Sequence, residues 1–158
     1  VSTDRRILDE AAREIVRQAA LLKRQECVQK VLENGLFLVE AADLVDAARI
    51  ASLYAPEHLE LQVADPKALA PKITAAGAIF MGEYTPEPVG DYIAGPSHVL
   101  PTGGTARFFN GLTGDAFFRR TSLLSYDREA LLREQPALAR LTAAEGLDAH
   151  GRSAAIRK

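Results

Sequence analysis

Cysteine is almost missing from this sequence: Cys27 stands alone among 158 residues. A disulfide within the chain is therefore impossible, and a reducing compartment is expected. Cys27 falls in a helical pattern with no histidine beside it, so it reads as a small hydrophobe rather than a nucleophile. No apolar run approaches the length of a membrane span. No signal-peptide pattern opens the chain, and a cytoplasmic location without a membrane partner is expected. Basic residues are scattered among acidic ones and the net charge is −2, so no nucleic-acid surface is indicated. Internal repeats and low-complexity tracts are missing too. The usual cofactor signatures are absent: there is no GxGxxG, no P-loop and no GxSxG elbow. Histidine is scarce. His58, His98 and His150 are the only three, and each sits at a junction between predicted elements.

What is present suffices for a core. Hydrophobic residues make up 47% and charged residues 25%, ordinary values for one globular domain with an appendage. Val1-Ser2-Thr3 reads like the end of a strand entering a cap, so further residues are expected upstream. Thr3 or Asp4 caps a first helix whose apolar stripe runs from Ile7 to Ala20 and faces a core. Asp9 is expected to pair with Arg13 on its outer face. A second helix carries Cys27, Val28, Val31 and Leu32 and ends at Asn34-Gly35. Leu36–Val39 reads as a buried strand. A helix over Ala41–Tyr54 stops at Ala55-Pro56. His58–Val63 reads as a strand, Lys67–Thr74 as a helix and Ala78–Met81 as a strand. Such alternation predicts an α/β fold: an incomplete Rossmann-like parallel or mixed sheet with crossover helices. Further on, Thr113–Arg119 reads as helical and Ser122–Tyr126 as an edge strand. Asp127 caps a helix that Pro136 breaks or restarts. Leu138–Glu145 continues helically to Gly146, and Leu147–Lys158 is a short amphipathic tail. The expected division is an α/β part over 1–126 and a small C-terminal helical appendage over 127–158.

The stretch Gly77–Gly104, GAIFMGEYTPEPVGDYIAGPSHVLPTGG, organises the rest. After its strand it is crowded with glycine and proline, and a loop this long is usually functional or disordered. Tyr84, Tyr92, Ile93, Val99 and Leu100 anchor it, which argues for function. Its candidate residues are Asp91 and His98. Their spacing matches no compact metal motif, although both are natural zinc ligands. A turn-forming Asp91 and a loop-supporting His98 explain them equally well. Glu57-His58 follows Pro56. Histidine is the commonest general base, but adjacent strand side chains point to opposite faces. Spacing alone favours two unrelated polar neighbours at a helix end. Thr142-Ala-Ala-Glu145 fits a capping box. Glu145 and His150 can reach one ligand only because Gly146 interrupts the helix between them. The residues by themselves stop at an α/β protein with a candidate zinc or acid–base site.

Three segments carry a further signal: APEHLEL at Ala55–Leu61, GAIFMGEYTPEPVGDYIAGPSHVLPTGGTARF at Gly77–Phe108, and AEGLDAHGRSAAIR at Ala144–Arg157. In this order and spacing they resemble the C-terminal part of histidinol dehydrogenases. The resemblance implies oxidation of L-histidinol through L-histidinal to L-histidine, the last steps of histidine biosynthesis, with two NAD and one zinc ion. It implies that Glu57 and His58 are catalytic. It implies that Asp91 and His150 bind zinc, and that His58, Asp91, His98, Glu145 and His150 contact substrate. It also implies a homodimer in which the tail, with Glu145 and His150, serves the partner's site. The family's other two zinc ligands and its NAD contacts lie in a portion this chain lacks, so the chain alone is expected to be inactive. A non-catalytic dimerisation or interaction fragment and a zinc hydrolase are the competing readings.

Overall fold

A computed structural model describes residues 1–157. The chain divides into two compact units, Val1–Phe117 and the residues from Phe118 onward. The first holds α1 (Arg5–Ala19), α2 (Gln25–Asn34), α3 (Leu44–Tyr54), β1 (His58–Leu61), α4 (Pro66–Leu69), β2 (Ala78–Met81) and α5 (Glu87–Tyr92), together with three short 3-10 turns. The second holds α6 (Arg128–Ala144) and α7 (Asp148–Ala155). The α/β class and the parallel pairing expected from the sequence are both present.

The two strands pair in parallel, with His58 opposite Ala78, Leu59 opposite Ile79, Glu60 opposite Phe80 and Leu61 opposite Met81. Side chains alternate along a strand, so this ribbon has two unlike faces. Leu59 and Leu61 point to the core, where Leu61 meets Ala48 of α3 and Leu69 of α4, with Val63, Ala70 and Ile73 packed around them. His58, Glu60 and Phe80 share the other face. The crossover between the strands begins at Asp65, whose carboxylate accepts from the Ala68 N–H at 3.0 Å, with Pro66 in the first turn of α4.

The chain enters β1 under steric constraint. Ala55, buried at the end of α3, takes left-handed angles (φ 53°, ψ 62°) and bonds back to the Ala51 carbonyl at 2.9 Å. A non-glycine residue rarely adopts that conformation, and Ala55 here turns the backbone sharply before Pro56. Gly77 then lies against the backbone of Glu57. A Cβ on Gly77 would stand 2.5 Å from the Glu57 carbonyl oxygen. The same close approach lets Gly77 N–H bond the Pro56 carbonyl at 2.9 Å and Ala78 N–H bond Glu57 at 2.8 Å.

Several expectations need correction. Leu36–Val39 is not a strand: only an isolated parallel bridge joins Ser2 to Glu40, and Phe37 is exposed, so no sheet covers the run. Ser122–Tyr126 is not a strand either, with Leu123 and Leu124 both exposed and no ladder beside them. Helix over Thr113–Arg119 shrinks to one 3-10 turn, Gly114–Phe117. Lys67–Thr74 splits into α4 and a 3-10 turn, Ala70–Lys72, where Pro71 removes an amide donor. Pro136 does not break α6, which runs through it on strong helix formers (Leu, Arg, Glu, Gln, Ala). Gln135 further ties α6 to α7, donating to the Ala154 and Arg157 carbonyls at 2.9 and 3.0 Å. Thr142 makes no capping box: it lies inside α6 and its hydroxyl donates back to the Leu138 carbonyl at 2.8 Å. Asp9 pairs with Arg5, not Arg13, at 3.0 Å. Within the described residues the stripe of α1 buries only Leu8, and Cys27 is exposed.

The Gly77 contact yields a direct test. Gly77→Ala sets a Cβ against main-chain atoms that cannot rotate away, so it is expected to destabilise the first unit by about 1–3 kcal/mol. Urea unfolding of the variant beside the parent chain measures this as a lower midpoint at unchanged slope.

Candidate functional site

The glycine- and proline-rich stretch after β2 contains a helix that its composition concealed. Pro86 and Pro88 are tolerated because they sit at the start of α5, where amides lack intrahelical partners anyway. No side chain of the Pro86 cap caps the helix. Instead Glu60 of β1 reaches across, its Oε1 accepting from the Glu87 N–H at 3.0 Å. Gly90 lets the helix lie close on the ribbon: a Cβ there would stand 2.5 Å from Phe80 Cε1. Phe80 in turn packs tilted against the His58 ring, with centroids 5.9 Å apart.

This packing brings three chemical side chains together. His58 Nε2 lies 3.6 Å from a Glu87 carboxylate oxygen and 3.6 Å from one of Asp91. The donor atoms of His58, Glu87 and Asp91 all fall within 4.8 Å of one another. His58 Nε2 is sealed from solvent and has no hydrogen-bond partner. A buried polar atom left unpartnered is costly; this one faces two carboxylates just beyond bonding distance. The neighbouring Asp91 carboxyl, close enough to share a proton, raises Glu87 above its ordinary value. Burial and the charges of Asp91 and Glu60 add to the rise, and His58 opposes it. Asp91 also lines a largely apolar cavity of about 750 Å³, bounded by β2, α5 and Asn110–Gly114.

The other candidates stand elsewhere. Glu57 precedes β1 and lines a smaller hollow of about 450 Å³ with Tyr54, Gly103, Gly104 and Arg107. There Arg107 donates to the Gly104 carbonyl at 3.0 Å and to the Leu53 carbonyl at the end of α3. His98 is exposed in the loop after α5. Glu145 and His150 belong to the second unit: Glu145 ends α6, Gly146 turns the chain at φ 70°, and His150 lies exposed in α7. The structure thus joins His58 to Asp91 and adds Glu87, which the sequence reading missed. Its signal was there: Glu87 and Asp91 are four apart, the spacing of neighbours on one helix face.

A parallel β pair with a crossover, carrying a histidine and two carboxylates on its open face, defines an α/β protein equipped for acid–base or metal chemistry. The family model described as histidinol dehydrogenase matches residues 1–158, and the chain belongs to that family. It is 46% identical over 144 residues to the histidinol dehydrogenase of Heliobacterium mobile, covering 91% of this chain and 34% of the relative. It is 45% identical over 157 residues to that of Gloeobacter violaceus, covering 99% of this chain and 35% of the relative. The crystal structure of the enzyme from Elizabethkingia anophelis superposes with a TM-score of 0.70 at 29% identity, over 98% of this chain and 36% of that one. The chain therefore spans about a third of the length of the curated relatives it matches.

Two outcomes follow from the site's geometry. A folded-state carboxyl raised above its unfolded value favours folding below the unfolded value and loses that contribution as pH rises through the raised one. The Glu87 side-chain carbon, followed by NMR against pH, is expected to titrate above the ordinary glutamate range, and Asp91→Asn should lower its midpoint. Gly90→Ala must push Phe80 or lift α5, with an expected cost of about 1–3 kcal/mol; loss of the His58–Phe80 ring contact by NMR checks it.

Proposed function

We propose that the chain is part of an NAD- and zinc-dependent histidinol dehydrogenase oxidising L-histidinol through L-histidinal to L-histidine. What supports this reading is the match to the family along the chain together with the meeting of His58 and Asp91 at 3.6 Å. The balance is two oxidations: the alcohol loses a hydride and a proton, then the hydrated aldehyde does the same, consuming one water. NAD, when bound, supplies the hydride acceptor, one NAD being consumed in each of the two oxidations. Neither β1 nor β2 leads into a glycine-rich dinucleotide turn, so its contacts are assigned to the remainder of the enzyme. Zinc, when bound, supplies Lewis acidity and a template for the substrate's imidazole and amine. The half-buried Asp91 carboxylate, on the wall of the apolar cavity and beside His58, is a donor that suits such an ion. Asp91 and His150 are its proposed ligands from this chain.

The chain's own residues carry the protons. His58 accepts the alcohol's proton in the first oxidation and that of the hydrate in the second. Glu57 orients the water that adds to the aldehyde. Glu145 binds the substrate's ammonium by charge-assisted hydrogen bonding, and His98 contacts the substrate. We assign the enzyme to the cytoplasm as a homodimer in which the α6–α7 unit serves the neighbouring subunit. No described helix is long and apolar enough to cross a membrane.

Complementation tests the proposal. The chain alone is expected to leave NAD unreduced in the presence of L-histidinol. Mixed with the remaining two-thirds of a relative such as the Heliobacterium mobile enzyme, it should form NADH, and a chelator should stop it. In that assembly His58→Gln is expected to lower kcat about 10²–10⁴-fold. NAD-independent ester hydrolysis with no NADH would instead mark a zinc hydrolase and overturn the reading.

A further inference from the structure

We propose that Arg107 is a positioning residue for Glu57: its guanidinium ties together the two walls of the hollow that Glu57 lines. One wall is the end of α3 with Ala55 and Pro56; the other is Gly103–Gly104. Arg107 donates to the Leu53 carbonyl on the first wall and, at 3.0 Å, to the Gly104 carbonyl on the second. The last four carbonyls of a helix lack intrahelical partners. In α3 the Ala55 N–H takes that of Ala51, and Arg107, remote in sequence, takes that of Leu53. A guanidinium also suits the negative end of the helix dipole. Both bonds go to main-chain carbonyls and neither to a carboxylate, so the side chain is placed as a clamp rather than as half of a surface ion pair.

The backbone around this clamp is built for close approach. Gly103 and Gly104 take φ of 58° and 79°, and a Cβ on Gly104 would stand 2.7 Å from Arg107 Nη1. Across the hollow, Ala55 holds left-handed angles, which persist only where the surroundings enforce them. Glu57 follows two residues later. Its main chain is held by the Ala78 N–H; the clamp adds the shape of the walls around its side chain. His58 has separate support, paired with Ala78 and packed on Phe80. Loss of the clamp therefore loosens the Glu57 hollow and leaves the histidine in register. The role of Glu57 is that of the proposed function, and the inference rests on that reading. Glu57 orients the water that adds to the aldehyde, so Arg107 governs the second oxidation and not the first. A misplacement of about 1 Å at such a group costs roughly 10²-fold in rate.

In the chain alone, Arg107→Ala is expected to shift the Ala55 and Glu57 amide resonances and to leave those of Leu61 and Phe80 in place. In the assembly with the remaining two-thirds of the Heliobacterium mobile enzyme, it should slow oxidation of L-histidinal about tenfold or more. Single-turnover oxidation of L-histidinol should change less than about threefold, so that L-histidinal accumulates. Arg107→Lys keeps the charge but offers a point donor in place of a fork, and should recover only part of the loss. Added guanidinium ion should restore Arg107→Ala. If Arg107→Ala does not fold, Arg107→Lys decides by the same two readouts. Unmoved Ala55 and Glu57 amides overturn the proposal whatever the kinetics. Equal losses in the two oxidations overturn it too, since they mark a role in stability alone. No NADH from the parent assembly overturns the dehydrogenase reading, and with it the step assigned to Arg107; the amide shifts still report whether the clamp holds Glu57.

Discussion

The parallel pairing of four residues with four carries this molecule's organisation. His58–Leu61 and Ala78–Met81 lie in register, and the pleat then sorts their side chains without further instruction. Leu59 and Leu61 go to α3 and α4 and make the core; His58, Glu60 and Phe80 go to α5 and make the site. A slip of one residue would exchange the faces, burying a histidine and a glutamate among leucines. Stability and chemistry are therefore tied to one ladder, and the backbone contact between Gly77 and Glu57 keeps its register from the first pair.

A helix as short as α5 cannot stand alone, because nucleation costs more than its few hydrogen bonds return. It persists through contacts outside itself. Glu60 satisfies an amide that the Pro86 cap leaves open, and Phe80 fills the notch at Gly90. These contacts aim Glu87 and Asp91 at His58. The crowding of acid on acid beside an unpartnered nitrogen is unfavourable for a resting protein, and such local conflicts concentrate at functional sites.

The second unit is held differently. Its two helices close on one another through the Gly146 turn and the Gln135 bonds, with no residue fully buried. Apolar side chains such as Phe118, Leu123 and Leu124 stay exposed, and in the first unit so do Val16, Phe108 and Phe117. A chain that spans about a third of its relatives' length has fewer surfaces of its own to cover them.

Local chemistry was legible in the sequence. Asp4, Asp65 and Asp127 cap helices, Ala78–Met81 is a strand, and Gly146 ends α6, because each depends on a few adjacent residues. The α/β class followed from their order, and the family from three motifs. Readings that needed a partner failed: Leu36–Val39 and Ser122–Tyr126 have strand-like composition, yet no ladder forms beside them. The Pro- and Gly-rich stretch concealed α5 because its support comes from Glu60 and Phe80, remote in sequence. Asp91 was visible as a candidate and Glu87 was not. By itself the sequence determined which residue types were available and where helices could begin and end, through capping, propensity and proline sterics. Only the tertiary structure decided which of them meet, because the distance between His58, Glu87 and Asp91 is set by strand register and by a helix seated on a glycine.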